Sequence, residues 1–196
     1  MKIHPTLTLA LMLAFVSAPF ATGACEKHKH TVGQAKPSAL PGGSLYHLDS
    51  EWTNQKNIKQ KLAKLMGRPR LIAMVFTRCQ TACPVLIHDL KSIATNIPVD
   101  LFSFDSQRET AGSMQDFIKK YNLDERWSVH TSSDSHVAVL AGALGVQYKK
   151  LSSGDYIHSN VIFLLNQNGE IVAKKEGLKS EDQAFLDAVT KVSAAP

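Results

Sequence analysis

Dense apolar runs alternate with polar breaks along most of this chain, and the runs differ in period. Leu71-Ile-Ala-Met-Val-Phe76 is apolar at every position. A strand of that kind belongs to a sheet covered on both faces. Val99-Asp-Leu-Phe-Ser-Phe104 and Val161-Ile-Phe-Leu-Leu165 predict two further strands, and Trp127-Ser-Val129 a brief one. Asn166-Gln-Asn-Gly169 is a turn signal, so Ile171-Val-Ala173 is expected to pair back on 161–165 as an antiparallel neighbour. Between the strands the period changes. Leu86, Leu90 and Ile93 fall at i, i+4 and i+7, one buried helical stripe. Pro84 suits the first turn of that helix, and Ile97-Pro98 ends it. Residues 110–121 read as a helix with Met114, Phe117, Ile118 and Tyr121 on one side. Val137, Leu140, Ala141 and Leu144 mark another, closed by Gly145. Ser180 with Gln183 resembles a capping box opening a last helix that buries Phe185, Leu186 and Val189. Ser44–Leu48 predicts a short strand, Ile58–Met66 one or two helical turns with Leu62 and Leu65 inward, and 151–160 a loop.

This order of elements implies an α/β fold with helices on both faces of the sheet. Two cysteines after the first long strand make the expectation more specific: a thioredoxin-like three-layer sandwich with a central mixed sheet. The chain has 196 residues, room for one such domain over 44–196.

The chain begins differently. Lys2 and His4 precede the apolar run Leu7–Val16, and small residues follow. That is the pattern of a secretory signal peptide over 1–24. The run is shorter than the roughly 20 residues a membrane span needs. Ala21-Thr-Gly23 fits a small-x-small cleavage site. Thr22-Gly-Ala-Cys25 also resembles a lipobox, which makes Cys25 a candidate for lipid attachment and a membrane tether. Residues 25–43, polar and broken by Pro37 and Pro41-Gly-Gly43, read as a flexible tether; His28 and His30 within it are weak candidate metal ligands. Both cleavage readings put the mature chain in the periplasm or another extracytoplasmic space, where disulfides form.

Formal charge is +5, but the lysines are scattered among acidic residues and no nucleic-acid motif is present. Nucleic-acid binding is therefore excluded as the leading reading; a basic face still favours an acidic partner or anionic lipid.

Of three cysteines, Cys79 and Cys83 remain as a pair at a strand-to-helix turn. Helix N-terminal N–H groups stabilise negative sulfur and lower thiol pKa, and Arg78 places positive charge beside Cys79. The Cys-x-x-x-Cys spacing serves a disulfide or a soft metal. A thioredoxin-type oxidoreductase has two residues between its cysteines and a proline before the later strand; here there are three, and His158 stands ahead of 161–165. Two thiolates and that imidazole make an S₂N set suited to Cu(I), or to Cu(II) with a further ligand. Zinc prefers a fourth ligand, for which Asp105 is in range. A structural disulfide and an ordinary loop histidine are the plain alternatives. The Thr-x-x-Cys spacing of a peroxidase is absent, and no Ser–His–Asp pattern supports hydrolysis.

Val75-Phe-Thr-Arg-Cys-Gln-Thr-Ala-Cys-Pro84, Phe104-Asp-Ser-Gln-Arg-Glu-Thr110 and His158-Ser-Asn-Val-Ile-Phe-Leu-Leu165 with Asn168-Gly169 resemble the Sco/SenC family over roughly residues 44–192. The resemblance implies a copper ion held by Cys79, Cys83 and His158. It implies an extracytoplasmic metallochaperone for the copper subunit of cytochrome c oxidase or another cuproprotein. The alternative it carries is a thiol-disulfide oxidoreductase, with Cys79 and Cys83 catalytic, that reduces cysteines of a partner. Three positions, in two places, depart from the family pattern. Ser106 and Glu109 replace a proline and an aspartate, and Ile157 replaces an aspartate before the histidine.

Overall fold

The computed structural model describes residues 39–94, 96–179 and 181–194. The leader and Cys25, His28 and His30 lie outside the described residues, as does Ser180 of the expected capping box. The chain enters through a 3₁₀ turn, Leu45–His47, where a strand was expected. The Ser44 hydroxyl accepts the Tyr46 N–H at 3.1 Å and donates to the Asn168 carbonyl, which curls the backbone. Strands β1 (Glu51–Asn54) and β2 (Lys59–Lys61) form a hairpin ahead of a second 3₁₀ turn, Leu62–Leu65. Asn54 Oδ1 accepts the N–H groups of Lys56 and Ile58 at 2.9 and 3.0 Å, so an Asx turn replaces the helix expected from Ile58. Leu62 and Leu65 are buried, as their spacing predicted.

The rest follows the pattern closely. Strand β3 is Arg70–Val75, helix α1 Ala82–Ile93, β4 Val99–Ser103 and α2 Ala111–Lys120. Then come β5 (Trp127–Thr131) and α3 (Asp134–Leu144), closed by Gly145 in the left-handed region at φ 68°. A hairpin of β6 (Tyr148–Lys150) and β7 (Tyr156–His158) occupies part of the stretch read as loop. Strands β8 (Val161–Leu165) and β9 (Ile171–Glu176) precede α4 (Gln183–Ser193). Asp182 caps α4 by accepting the Phe185 N–H at 2.9 Å. Phe185 and Val189 are buried, but Leu186, one residue round the helix, is exposed.

Seven strands form one mixed sheet in the order β2-β1-β5-β4-β3-β8-β9. β3, β4 and β5 are parallel, and β8 runs antiparallel to β3. Successive strand residues point to opposite faces. Every residue of Leu71–Val75, Val99–Ser103 and Ile162–Leu165 is buried, so both faces of the central strands are covered. The fold is the α/β, thioredoxin-like arrangement expected, with β3, between β4 and β8, delivering the chain to the cysteines.

Two polar pairs cross this core. Asp100 on β4, 1 % exposed, takes Arg70 Nη1 of β3 at 2.7 Å and His130 Nε2 of β5 at 2.8 Å, tying three neighbouring strands in register. Lys175 of β9 is buried against Asp89 of α1 at 3.1 Å. Asp89 also accepts the Lys179 N–H at 2.9 Å, which anchors the helix that carries Cys83.

Burial pushes the Asp100 carboxyl up, but His130 and Arg70 outweigh it and hold its pKa below the ordinary carboxylate value. Its contribution to stability is therefore present above about pH 4 and is lost as pH falls through the lower folded pKa. Asp100→Asn is expected to cost about 3–5 kcal/mol by breaking a buried pair. Urea unfolding at neutral pH measures that loss, and repeating it below about pH 4 should show the variant losing less stability on acidification than the wild type.

Candidate metal centre

At the end of β3 the backbone turns sharply. The Cys79 N–H donates to the Phe76 carbonyl at 3.1 Å. Helix α1 begins with Thr81 at its cap position, yet no side-chain oxygen caps it. The first N–H groups of a helix need an acceptor from outside. Cys79 Sγ supplies one, accepting the Cys83 N–H at 3.3 Å. Cys83 Sγ lies deeper, 3.7 Å from the Phe76 carbonyl, to which it donates. Both are buried free thiols, not a disulfide.

Their protonation is unequal. The neighbouring Cys83 side chain is the largest influence holding the Cys79 pKa well below the ordinary thiol range; burial opposes it, and His158 and the Cys83 and Thr81 N–H groups add to the lowering. Cys83 is pushed far up, first by the Cys79 sulfur and then by burial, with Glu109 contributing. The two sulfurs are thus driven apart, Cys79 toward thiolate and Cys83 toward thiol. Arg78, expected to supply positive charge, is exposed and is not among these influences.

Glu109 fixes the loop that presents Cys79. Its buried carboxylate accepts the Thr77 N–H at 2.8 Å, the Thr77 hydroxyl at 2.7 Å and the Ser103 hydroxyl at 2.9 Å; the Ser113 hydroxyl lies 3.0 Å away. Sequence reasoning registered Glu109 only as a departure from a pattern. Asp105, considered as a fourth ligand, is already engaged. It is buried and paired with Arg108 Nε at 2.5 Å, with the Tyr156 hydroxyl at 3.4 Å.

His158 ends β7 rather than sitting in an open loop. Its ring lies 4.9 Å from Phe104 and 6.2 Å, edge-on, from Phe76. Nδ1 is 3.0 Å from the Ser159 carbonyl. A carbonyl only accepts, so Nδ1 carries the proton shared with Ser159. Nε2 is buried and has no hydrogen-bond partner. A buried nitrogen without a partner is costly unless it serves something. The imidazole is close enough to lower the Cys79 pKa. Even so, among the described residues no group of three or more His, Cys, Asp or Glu side chains is gathered as a metal ion requires. Cys79, Cys83 and His158 share one neighbourhood without closing into a ligand set. Their donors, two sulfurs and an imidazole nitrogen, fit a soft ion if the ring moves inward. Tyr156 and His158, two apart on β7, face the same way; that period was the available signal for the aromatic wall that the sequence reading missed.

A family model described as SCO1/SenC matches residues 44–193. The SCO1 protein homolog of Bacillus subtilis is 23% identical over 153 residues, covering 72% of this chain and 78% of that protein. The structure of Arabidopsis thaliana ScoI with copper bound superposes with a TM-score of 0.64 at 20% identity, covering 74% of this chain and 97% of the other. BsSco, described as a member of the Sco family of cytochrome c oxidase assembly proteins with a disulfide switch, gives a TM-score of 0.61 at 21% identity, covering 74% and 92%. At these identities the solved structures bear on the fold.

Thiolate absorbance against pH tests the asymmetry. One equivalent should persist below about pH 7, the upper range of activated thiols. Cys79→Ser should remove it, and Cys83→Ala should raise its midpoint, because the largest cause of the lowering is gone.

Proposed function

The chain belongs to the SCO1/SenC family, and from that premise we propose that it is an extracytoplasmic copper-binding metallochaperone. Copper is its cargo, taken by Cys79, Cys83 and His158 and passed to the copper subunit of cytochrome c oxidase or to another cuproprotein. The observation that carries this reading is the buried, partnerless Nε2 of His158 beside the Cys79 thiolate. A soft d¹⁰ ion takes thiolate and imidazole donors together, which suits Cu(I). Cu(II) would use the same donors with one more ligand. Cys79 offers a ready anionic donor; Cys83 is the sulfur that must give up its proton on loading. Transfer then proceeds by exchange of these ligands for those of the acceptor. Relatives described as copper-bound and as cytochrome c oxidase assembly proteins support the choice of cargo and acceptor. Residues 1–24 act as the signal peptide that takes the chain to the periplasm, residues 25–43 as a tether with Cys25 available for lipid, and 44–196 as the working domain.

Competition titration of the reduced protein tests the ligands. One copper per chain is expected. His158→Ala should weaken binding at least about tenfold, a loss typical of a disturbed metal shell, with the fold unchanged by circular dichroism. Equal affinity in that variant would overturn the assignment of His158.

The inequality of the two sulfurs favours a second reading, a thiol-disulfide oxidoreductase. The Cys79 thiolate attacks one sulfur of a partner's disulfide, and the other partner sulfur leaves as thiolate. Cys83 loses its proton and attacks Cys79, releasing the second partner thiol. The partner ends reduced, and Cys79 and Cys83 end as a disulfide. Cys83→Ser should then accumulate a mixed disulfide on non-reducing gels. Its absence from the native compartment counts against this activity.

A further inference from the structure

Resting on the copper reading, we infer that Arg108 is a positioning residue that holds His158 beside Cys79 by latching the β6–β7 hairpin to the turn after β4. The hairpin is a separate two-stranded sheet; among the described residues it pairs with no strand of the seven-stranded sheet. A ribbon of two strands is marginal alone and takes its position from whatever holds it. Two kinds of contact hold this one, the first being aromatic packing on Phe104 and Phe76. Tyr148 and Tyr156 stack on Phe104 at 4.9 and 6.0 Å. The other is a polar latch centred on Asp105 and Arg108.

Asp105 is buried and its N–H is fixed by Ser103 Oγ at 3.1 Å. Arg108 Nε binds Asp105 Oδ2 at 2.5 Å, while Nη2 of the same guanidinium donates to the Gly154 carbonyl at the hairpin turn. The planar fork spans both partners, which a point charge could not do as well. Lys150 Nζ on β6 lies 4.0 Å from Asp105 Oδ1, and the Tyr156 hydroxyl on β7 lies 3.4 Å from the same oxygen. The latch thus reaches both strands and the turn. Gly154 is shaped for it. At φ +87° the position disfavours other residues, and a Cβ there would stand 2.8 Å from Arg108 Nη1.

The segment 105–109 serves the sulfur side as well. Glu109, next to Arg108, holds Thr77 two residues before Cys79. One turn therefore sets the thiolate through Glu109 and the imidazole through Arg108. Gly154 lies four residues before His158, in the turn that leads into β7.

The test uses the full chain, Arg108→Gln, and Asp105→Asn/Arg108→Gln, which leaves no unpaired buried charge. In hydrogen exchange, both variants should lose protection over 148–158 while residues 70–76 keep theirs; unchanged protection of the hairpin overturns the latch. Copper competition supplies the second readout. Arg108→Gln should weaken binding about tenfold in the wild-type background and less than about twofold when His158→Ala is already present, because residues acting through one another are not additive. Equal losses in both backgrounds overturn the coupling to His158. If His158→Ala alone leaves affinity intact, the copper assignment fails, and hydrogen exchange still decides the latch.

Discussion

A buried carboxylate must be surrounded by donors, and the loop carrying Cys79 is built on that requirement. Glu109 sits beneath it and takes both the N–H and the hydroxyl of Thr77, with Ser103 completing the shell. Hydrogen bonds to a charged acceptor contribute about 1.5–3 kcal/mol each, so the loop has one strongly preferred conformation. With Thr77 fixed, Cys79 is carried to the open end of α1 and its sulfur takes the cap position that no oxygen fills. The pull of Cys79 toward thiolate and the opposite pull on Cys83 follow from this placement.

The site keeps polar atoms out of water and short of partners by different amounts. Cys79 has several donors and becomes anionic. Cys83 has a carbonyl to bond and stays a thiol. His158 Nε2 has nothing. In a low-dielectric wall of Phe76, Phe104 and Tyr156 these differences are amplified. Both proposed chemistries draw on these differences between the three groups.

Much of the architecture was legible because burial on two faces writes a continuous apolar run, as in Leu71–Phe76 and Val161–Leu165, and helical burial writes a 3.6 period, as in Leu86, Leu90 and Ile93. Local side-chain chemistry overrode the pattern elsewhere. Ser44 and Asn54 bond their own backbone and turn it where strand and helix were expected. The β6–β7 hairpin escaped notice because its polar outer face, Lys149 and Asp155 among others, looks like a loop. Asp182 took the capping role assigned to Ser180. In the site, Cys79, Cys83 and His158 could be picked out as chemistry-bearing types, but whether they converge is a property of packing. Glu109, Asp105 and Arg108 act through partners remote in sequence, Gly154 among them, and a lone carboxylate or guanidinium in a chain does not announce its partner.

The pairing of β3 with β8 joins Arg70 to Leu165 and Ala73 to Ile162. The middle of the sheet therefore cannot be completed until the chain is made almost to its last helix. Such a high contact order makes folding slow, and β3, with the thiols that follow it, waits with one edge unpaired meanwhile. In an oxidising space those sulfurs would meet oxidants before they are enclosed, so the thiol state of the finished protein depends on synthesis and maturation as well as on its final geometry.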